Sequence, residues 1–176
     1  MEQFLKSVER RAFRMAEIAT GIRDDALDVL QDAMLEFVRA YAHKPREQWK
    51  PLFYRIVQNE IRDWYRRRKV RQIFVSLLPG RRQDQEKEEE DPIQLLSDPE
   101  APDPFTETKA SEAFKRLETI LRELPLRQQQ VFLLRAWEGL SVGETAAAMG
   151  CTQGTVKTHY SRALNTLQEN LKDNWP

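Results

Sequence analysis

At 176 residues, 40% of them hydrophobic and 32% charged, the chain has apolar material for one large packed domain or two small ones, on a very polar globular background. No run approaches the roughly 18 apolar residues of a membrane span, residues 1–14 lack the apolar centre of a signal peptide, and a lone cysteine, Cys151, excludes an internal disulfide and fits a reducing, cytoplasmic compartment. The formal net charge is zero, yet residues 1–82 carry 18 Lys/Arg against 11 Asp/Glu, residues 83–112 carry 2 against 11, and residues 113–176 carry 8 against 6.

A basic lobe, an acidic strap and a mildly basic lobe thus follow one another, which suits polyanion binding. The two histidines, His43 and His159, lie too far apart to suggest a metal-ligand cluster, so no metal or other cofactor is expected.

The apolar residues recur with a helical period almost throughout. Phe4, Leu5, Val8, Ala12, Met15 and Ala19 predict a first helix that Gly21 ends. Asp24 and Asp25 offer N-caps for a second, in which Leu27, Leu30, Met34, Val38 and Tyr41 form the expected buried face. A polar loop over 43–50 leads to Pro51, which suits the first turn of a third helix because its missing N–H is unpaired there anyway. Phe53, Ile56, Val57, Ile61 and Trp64 mark that helix's buried face, and the three helices are expected to share one core over 1–75.

Pro79, Gly80, Pro92, Pro99, Pro102 and Pro104 then break regular structure, and the acidic run 84–91 repels itself. Residues 76–108 read as a flexible linker. Helical spacing resumes at Ala113, Phe114, Leu117, Ile120, Leu121 and Leu124, and Pro125 stops it. Val131, Phe132, Leu134 and Ala136 define a further helix ending at Gly139. Ser141 and Glu144 form a capping-box pattern before a short helix over 142–149. Gly150, Cys151 and Thr152 make a tight turn into a final helix from 153 to 172, with Val156, Tyr160, Ala163, Leu164, Leu167 and Leu171 inward. Gly143 either sits in a helix's first turn or permits close packing; deeper in a helix it costs about 1 kcal/mol against alanine. With no strand pattern or repeat, the expected fold is all-α, two helical domains at 1–75 and 109–176.

Three segments carry candidate chemistry. Residues 140–167 have the form of a helix-turn-helix, whose second helix enters the major groove. Its exposed face is expected to carry Gln153, Lys157, Thr158, Ser161 and Arg162, residue types that read guanine edges or hold phosphates. On the third helix, Arg55, Asn59, Arg62 and Arg66 fall on one stripe with Tyr54 and Tyr65 at its edges. Rings that stack on bases beside cations that hold phosphates suit single-stranded nucleic acid. On the second helix Asp25, Asp28, Gln31 and Asp32 make an acidic face with no nucleophile or metal ligand beside it, a poor catalytic set that reads first as a solvated face and, more sharply, as a docking surface for a basic partner. Each pattern also has a plain alternative: a solvated helix face, or basic charge that complements a helix C-terminus.

Taken in order, the segments resemble the extracytoplasmic-function sigma factors of the sigma-70 family. Residues 25–35, Asp-Ala-Leu-Asp-Val-Leu-Gln-Asp-Ala-Met-Leu, look like the family's region 2.2, and residues 52–59 with 63–69 look like region 2.3 and its basic extension. Leu124-Pro125, Gly139-Leu140-Ser141, Glu144, Ala146, Gly150, Gly154-Thr155-Val156-Lys157 and Arg162-Ala163 match region 4. The resemblance implies a non-catalytic specificity subunit of RNA polymerase. Its partners would be core polymerase, through the β′ clamp helices and the β flap, and promoter DNA, with an anti-sigma protein as a frequent partner in the family and no insertion into a membrane. It implies that Asn59 captures a flipped base of the −10 element, that Lys157, Thr158, Ser161 and Arg162 read the −35 element, and that the second helix's acidic face meets the clamp helices. Thr145 stands where the family usually has a branched aliphatic residue.

Overall fold

A computed structural model describes residues 1–77 and 104–172, with side chains over 1–71 and 114–171. Helix α1 (Glu2–Thr20) ends where Gly21 turns left-handed at φ 72° and donates its N–H to the Glu17 carbonyl at 2.9 Å. The chain is extended at Ile22 and helical again from Arg23, so α2 (Arg23–Tyr41) starts one residue before the expected caps. Asp24 and Asp25 therefore lie in the first turn, where their charge complements the helix dipole without a side-chain cap bond. A 3₁₀ turn over Arg46–Gln48 follows, and Trp49 Nε1 donates to the Lys44 carbonyl at 2.8 Å to close the loop. Helix α3 (Trp49–Leu77) then runs the length of the lobe.

α1, α2 and α3 pack around an aromatic centre. The Phe37 ring meets Phe53 edge-on at 5.6 Å and Trp49 edge-on at 6.3 Å, and lies 5.5 Å from Phe4. The buried stripe of α2 is Ala26, Val29, Leu30, Ala33 and Phe37. This corrects the expected one: Leu27 is 45% exposed and Val38 41%, while Met34 and Tyr41 are only partly buried. Two alanines with no exposed surface let α2 approach its neighbours closely, which rotates its larger apolar side chains outward.

The second lobe starts earlier than the apolar spacing indicates, with α4 (Pro104–Glu123) opening on a proline in its first turn. α3 reaches two residues into the stretch read as linker, of which 78–103 lie outside the described residues. Pro125 leads into α5 (Leu126–Phe132). There the buried Gln129 donates from Nε2 to the Leu121 carbonyl at 2.8 Å, satisfying a C-terminal carbonyl of α4. α5 then widens into a π turn, Leu133–Trp137, in which the Glu138 N–H reaches back to the Leu133 carbonyl at 3.0 Å, before Gly139 turns left-handed.

Helix α6 (Val142–Met149) opens on the capping box: Glu144 N–H donates to Ser141 Oγ at 3.1 Å and Ser141 N–H to Glu144 Oε2 at 2.8 Å. Hydrogen bonding with Ser141, first through the side chain and then through the backbone N–H, holds the Glu144 carboxyl below its usual range. Gly143 is the second residue of α6, and a Cβ there would meet Gln153 Nε2 at 3.7 Å and Ser141 Oγ at 4.0 Å, ordinary contacts; the first turn, not close packing, accommodates it. Cys151 N–H to Ala146 and Gly150 N–H to Ala147 close α6 as a Schellman turn, at 3.0 and 3.4 Å. Helix α7 (Gln153–Lys172) follows, its Thr155 N–H capped by Thr152 Oγ1 at 3.2 Å. Val156, Ala163 and Leu167 are buried as expected, whereas Tyr160, Leu164 and Leu171 are half-covered. Among the described residues there is no strand, no group of metal-ligating side chains, and no helix long and apolar enough to cross a membrane.

One residue of this lobe works against it. Thr145 in α6 is fully buried and its hydroxyl has no hydrogen-bond partner. An unpaired buried hydroxyl costs about 1–3 kcal/mol, and valine has nearly the same shape. Thr145→Val is expected to stabilise the C-terminal lobe by about 1 kcal/mol, read as a higher urea midpoint with unchanged slope; a lower midpoint would show that the hydroxyl is paired in solution.

Candidate nucleic-acid interface

α3 buries Phe53, Ile56, Val57, Gln58 and Ile61 and leaves Arg55 and Arg66 exposed, with Asn59 and Arg62 half-covered. Arg62 donates from Nη2 to Asn59 Oδ1 and from Nε to the Gln58 carbonyl at 3.2 Å, so cation and amide form one unit; Arg66 pairs with Asp63. Burial, then the Arg127 guanidinium of the second lobe, lower the Arg62 pKa. Arginine nonetheless stays charged, so the stripe is a concentration of positive charge.

The two tyrosines divide. Tyr65 is 37% exposed, its hydroxyl donating to the Ala19 carbonyl at 2.7 Å, which leaves part of the ring free at the stripe's edge. Tyr54 is completely buried, and its expected position at an exposed edge is corrected: its turn of α3 is covered in this packing. Burial, and after it the Glu138 carboxylate, push its phenol far above the ordinary tyrosine range.

On α2, Asp28, Gln31 and Asp32 are exposed. Asp25 is half-covered and accepts from Trp64 Nε1 at 2.9 Å, so it ties α2 to α3, and Arg68 lies over the Trp64 ring at 5.1 Å. A cleft of 680 Å³ between the helices brings Asp25, Asp28 and Asp32 opposite Arg67, Arg68 and Arg71. Beside the acidic residues stand the exposed Leu27, Leu35 and Val38, a mixed acidic and apolar face that the sequence reading saw only as acidic.

In the helix-turn-helix, Gln153, Lys157, Thr158, Ser161 and Arg162 are all exposed on α7. Thr158 Oγ1 donates to the Gly154 carbonyl at 3.0 Å, which leaves its lone pairs outward. A groove of 380 Å³ runs along α7, bounded by Val142, Val156, Lys157, Tyr160 and Leu164.

The two lobes touch: α3 packs on α6, and α1 on α4. Glu138, at the end of the π turn, is buried against the first lobe, its carbonyl accepting from Lys50 Nζ at 2.6 Å. Arg14 of α1 meets Glu118 of α4 at 2.5 Å. Sequence reasoning named none of Arg14, Lys50, Glu118 and Glu138, because contacts between residues so distant in the chain leave no periodic trace.

Residues 1–71 match the model of sigma-70 region 2 and residues 114–167 that of sigma-70, region 4. The chain is 31% identical over 174 residues to the RNA polymerase sigma-E factor of Streptomyces coelicolor, covering 97% of this chain and 85% of that one. It is 37% identical over 82 residues to the ECF RNA polymerase sigma factor SigD of Mycobacterium tuberculosis, covering 46% of this chain and 39% of that one. A solved sigma factor RpoE, in complex with the anti-sigma factor NepR from Bartonella quintana, shares the fold with a TM-score of 0.65 at 22% identity, over 99% of this chain and 98% of that one.

Proposed function

The chain belongs to the extracytoplasmic-function sigma factors of the sigma-70 family, which direct core RNA polymerase to promoters, and from that premise we propose how its residues divide the work. The domains are an N-terminal lobe that ends with α3 and a C-terminal lobe that opens with α4, with the residues between linking them. The α2 face of Asp28, Gln31 and Asp32, with Leu27 and Leu35 beside them and Asp25 bracing it through Trp64, docks on the β′ clamp helices, while the second lobe meets the β flap. α7 enters the major groove of the −35 element, where Lys157 and Arg162 reach guanine edges or phosphates and Gln153, Thr158 and Ser161 offer amide and hydroxyl contacts. Asn59 pairs with the edge of an unstacked −10 base while Arg55, Arg62 and Arg66 hold phosphates; Tyr65 stacks, and Tyr54 joins it once uncovered. The protein turns over no bond, needs no cofactor and acts in the cytoplasm. An anti-sigma protein is a further partner, as in the complex with NepR.

The observation that carries this reading is the pairing of two basic, nucleic-acid-suited faces, one on each lobe, with an acidic and apolar face on α2 between them in the chain's order. The test compares purified chain, core polymerase and their mixture on a promoter library. The mixture alone is expected to start transcripts at specific sites, and tagged chain is expected to retain β′. Tight binding of the isolated chain to a palindromic duplex, without β′, would make it a stand-alone helix-turn-helix regulator instead.

A further inference from the structure

Past Ile61, α3 leaves the core and exposes two side chains fit to hold nucleic acid, the Tyr65 ring and the Arg68 guanidinium. A third side chain touches both. Trp64 meets the Tyr65 ring edge-on at 5.0 Å, and Arg68, one turn further along, lies over the Trp64 ring at 5.1 Å. Burial raises the Tyr65 phenol above its ordinary value and the Arg68 charge opposes it, so the cation lies within electrostatic reach of that ring.

Trp64 is only half-covered, and an indole on a helix surface has several staggered positions open to it. Asp25 selects one of them. Its Oδ2 accepts from Trp64 Nε1 at 2.9 Å, a charge-assisted bond from the first turn of α2. Tyr65 is fixed at its other end, where its hydroxyl donates to the Ala19 carbonyl of α1 at 2.7 Å. The ring therefore rests on α1 backbone and on an indole that α2 holds in place. The bond is not needed to join the helices, because α2 and α3 already pack on one another, each with its own buried apolar stripe. Nor is Asp25 placed like its neighbours: Asp28 and Asp32 are exposed, whereas Asp25 is half-covered with one oxygen committed to the indole.

We propose that Asp25 is a positioning residue for the nucleic-acid face: through Trp64 it sets the Tyr65 ring for base stacking and the Arg68 charge for a phosphate, and it is no polymerase contact of its own. The role of that face rests on the sigma reading above; the tie to Trp64 does not. The test uses full-length variants Asp25→Ala, Asp25→Asn, Trp64→Phe and the double Asp25→Ala with Trp64→Phe. Asparagine keeps an acceptor without the charge, and phenylalanine keeps a ring without the donor. Opening is read by permanganate footprinting at a promoter that the parent holoenzyme opens, with each chain at a concentration that saturates core polymerase. Asp25→Ala and Trp64→Phe are each expected to reduce opening about tenfold, within the worth of one stacked base. The double variant is expected to fall no further, and Asp25→Asn to retain most of the parent's opening. Full opening by Asp25→Ala at saturation would make Asp25 a polymerase contact and overturn the proposal. So would an Asp25→Asn loss as deep as that of alanine, or a double loss equal to the product of the singles. A proton–nitrogen NMR spectrum tests the tie without polymerase. The Trp64 indole signal, identified by its absence in Trp64→Phe, is expected to exchange its proton faster in Asp25→Ala and near the parental rate in Asp25→Asn. An unchanged rate in Asp25→Ala overturns the tie. A parent holoenzyme that opens no promoter defeats the sigma reading and leaves the NMR result standing. Circular dichroism at parental amplitude shows the variants folded, and Trp64→Phe set against Asp25→Asn carries the test if Asp25→Ala unfolds.

Discussion

Phe37→Ala is expected to lower the unfolding free energy of the N-terminal lobe by about 3–5 kcal/mol. Phe37 has no exposed surface, and it is the one ring in contact with Phe4, Tyr41, Trp49 and Phe53 alike. Removing it deletes hydrophobic burial, leaves a cavity bounded by rings too rigid to collapse into it, and forfeits edge-to-face contacts that add about 0.5–1.5 kcal/mol each in favourable pairs. A domain of this size has only about 5–15 kcal/mol in hand, so the variant lobe loses a large share of its stability. Functionally, α2 and α3 lose their common register, and the polymerase-facing and base-trapping faces are lost together. Urea unfolding followed by circular dichroism measures the loss, with Phe37→Leu expected between parent and alanine variant. A loss below about 0.5 kcal/mol, the size of an exposed substitution's effect, would mean that this ring cluster is not the lobe's centre.

How far the sequence carried depended on whether a feature was local. Gly21 and Gly150, the Ser141–Glu144 box and Pro125 are signals that act within one turn of chain, and each lies where the structure uses it. The five outward residues of α7 were readable because Val156, Ala163 and Leu167 define the opposite face without ambiguity. α2 was misread for a physical reason. Its apolar residues are more numerous than one core face needs, and hydrophobic periodicity cannot distinguish a face kept for the lobe's interior from one kept for a partner. The small Ala26 and Ala33 took the interior, and Leu27, Leu35 and Val38 were left outside. Tyr54 failed differently: the covering element is more than 80 residues away in the chain, so nothing near position 54 signals its burial. The π turn that delivers Glu138 likewise has no residue-level signature; the charge merely precedes a helix-ending glycine.

Asn59→Ala is expected to reduce open-complex formation by roughly 10- to 100-fold, the equivalent of one good base-edge contact of about 1–3 kcal/mol, with binding to core polymerase unchanged. Opening a duplex costs about 1.4 kcal/mol per base-pair step, so bases must be trapped as they unstack, and a side-chain amide matches the paired donor and acceptor of a base edge. The loss should fall on the melting step because Asn59 belongs to α3, whereas the proposed polymerase contact is made by α2. Substituting Asn59 also releases Arg62 Nη2, which donates to its Oδ1, while Nε stays on the Gln58 carbonyl, and that side effect needs its own control. Arg62→Ala supplies one: a lost phosphate contact weakens binding at all sequences and lowers the salt slope by about 1. Asn59→Ala should leave that slope intact and relax the preference at a single promoter position. Permanganate footprinting of the melted region, against a core-binding titration, separates the steps. If the two measurements fall by the same factor, Asn59 supports the fold of α3 and reads no base.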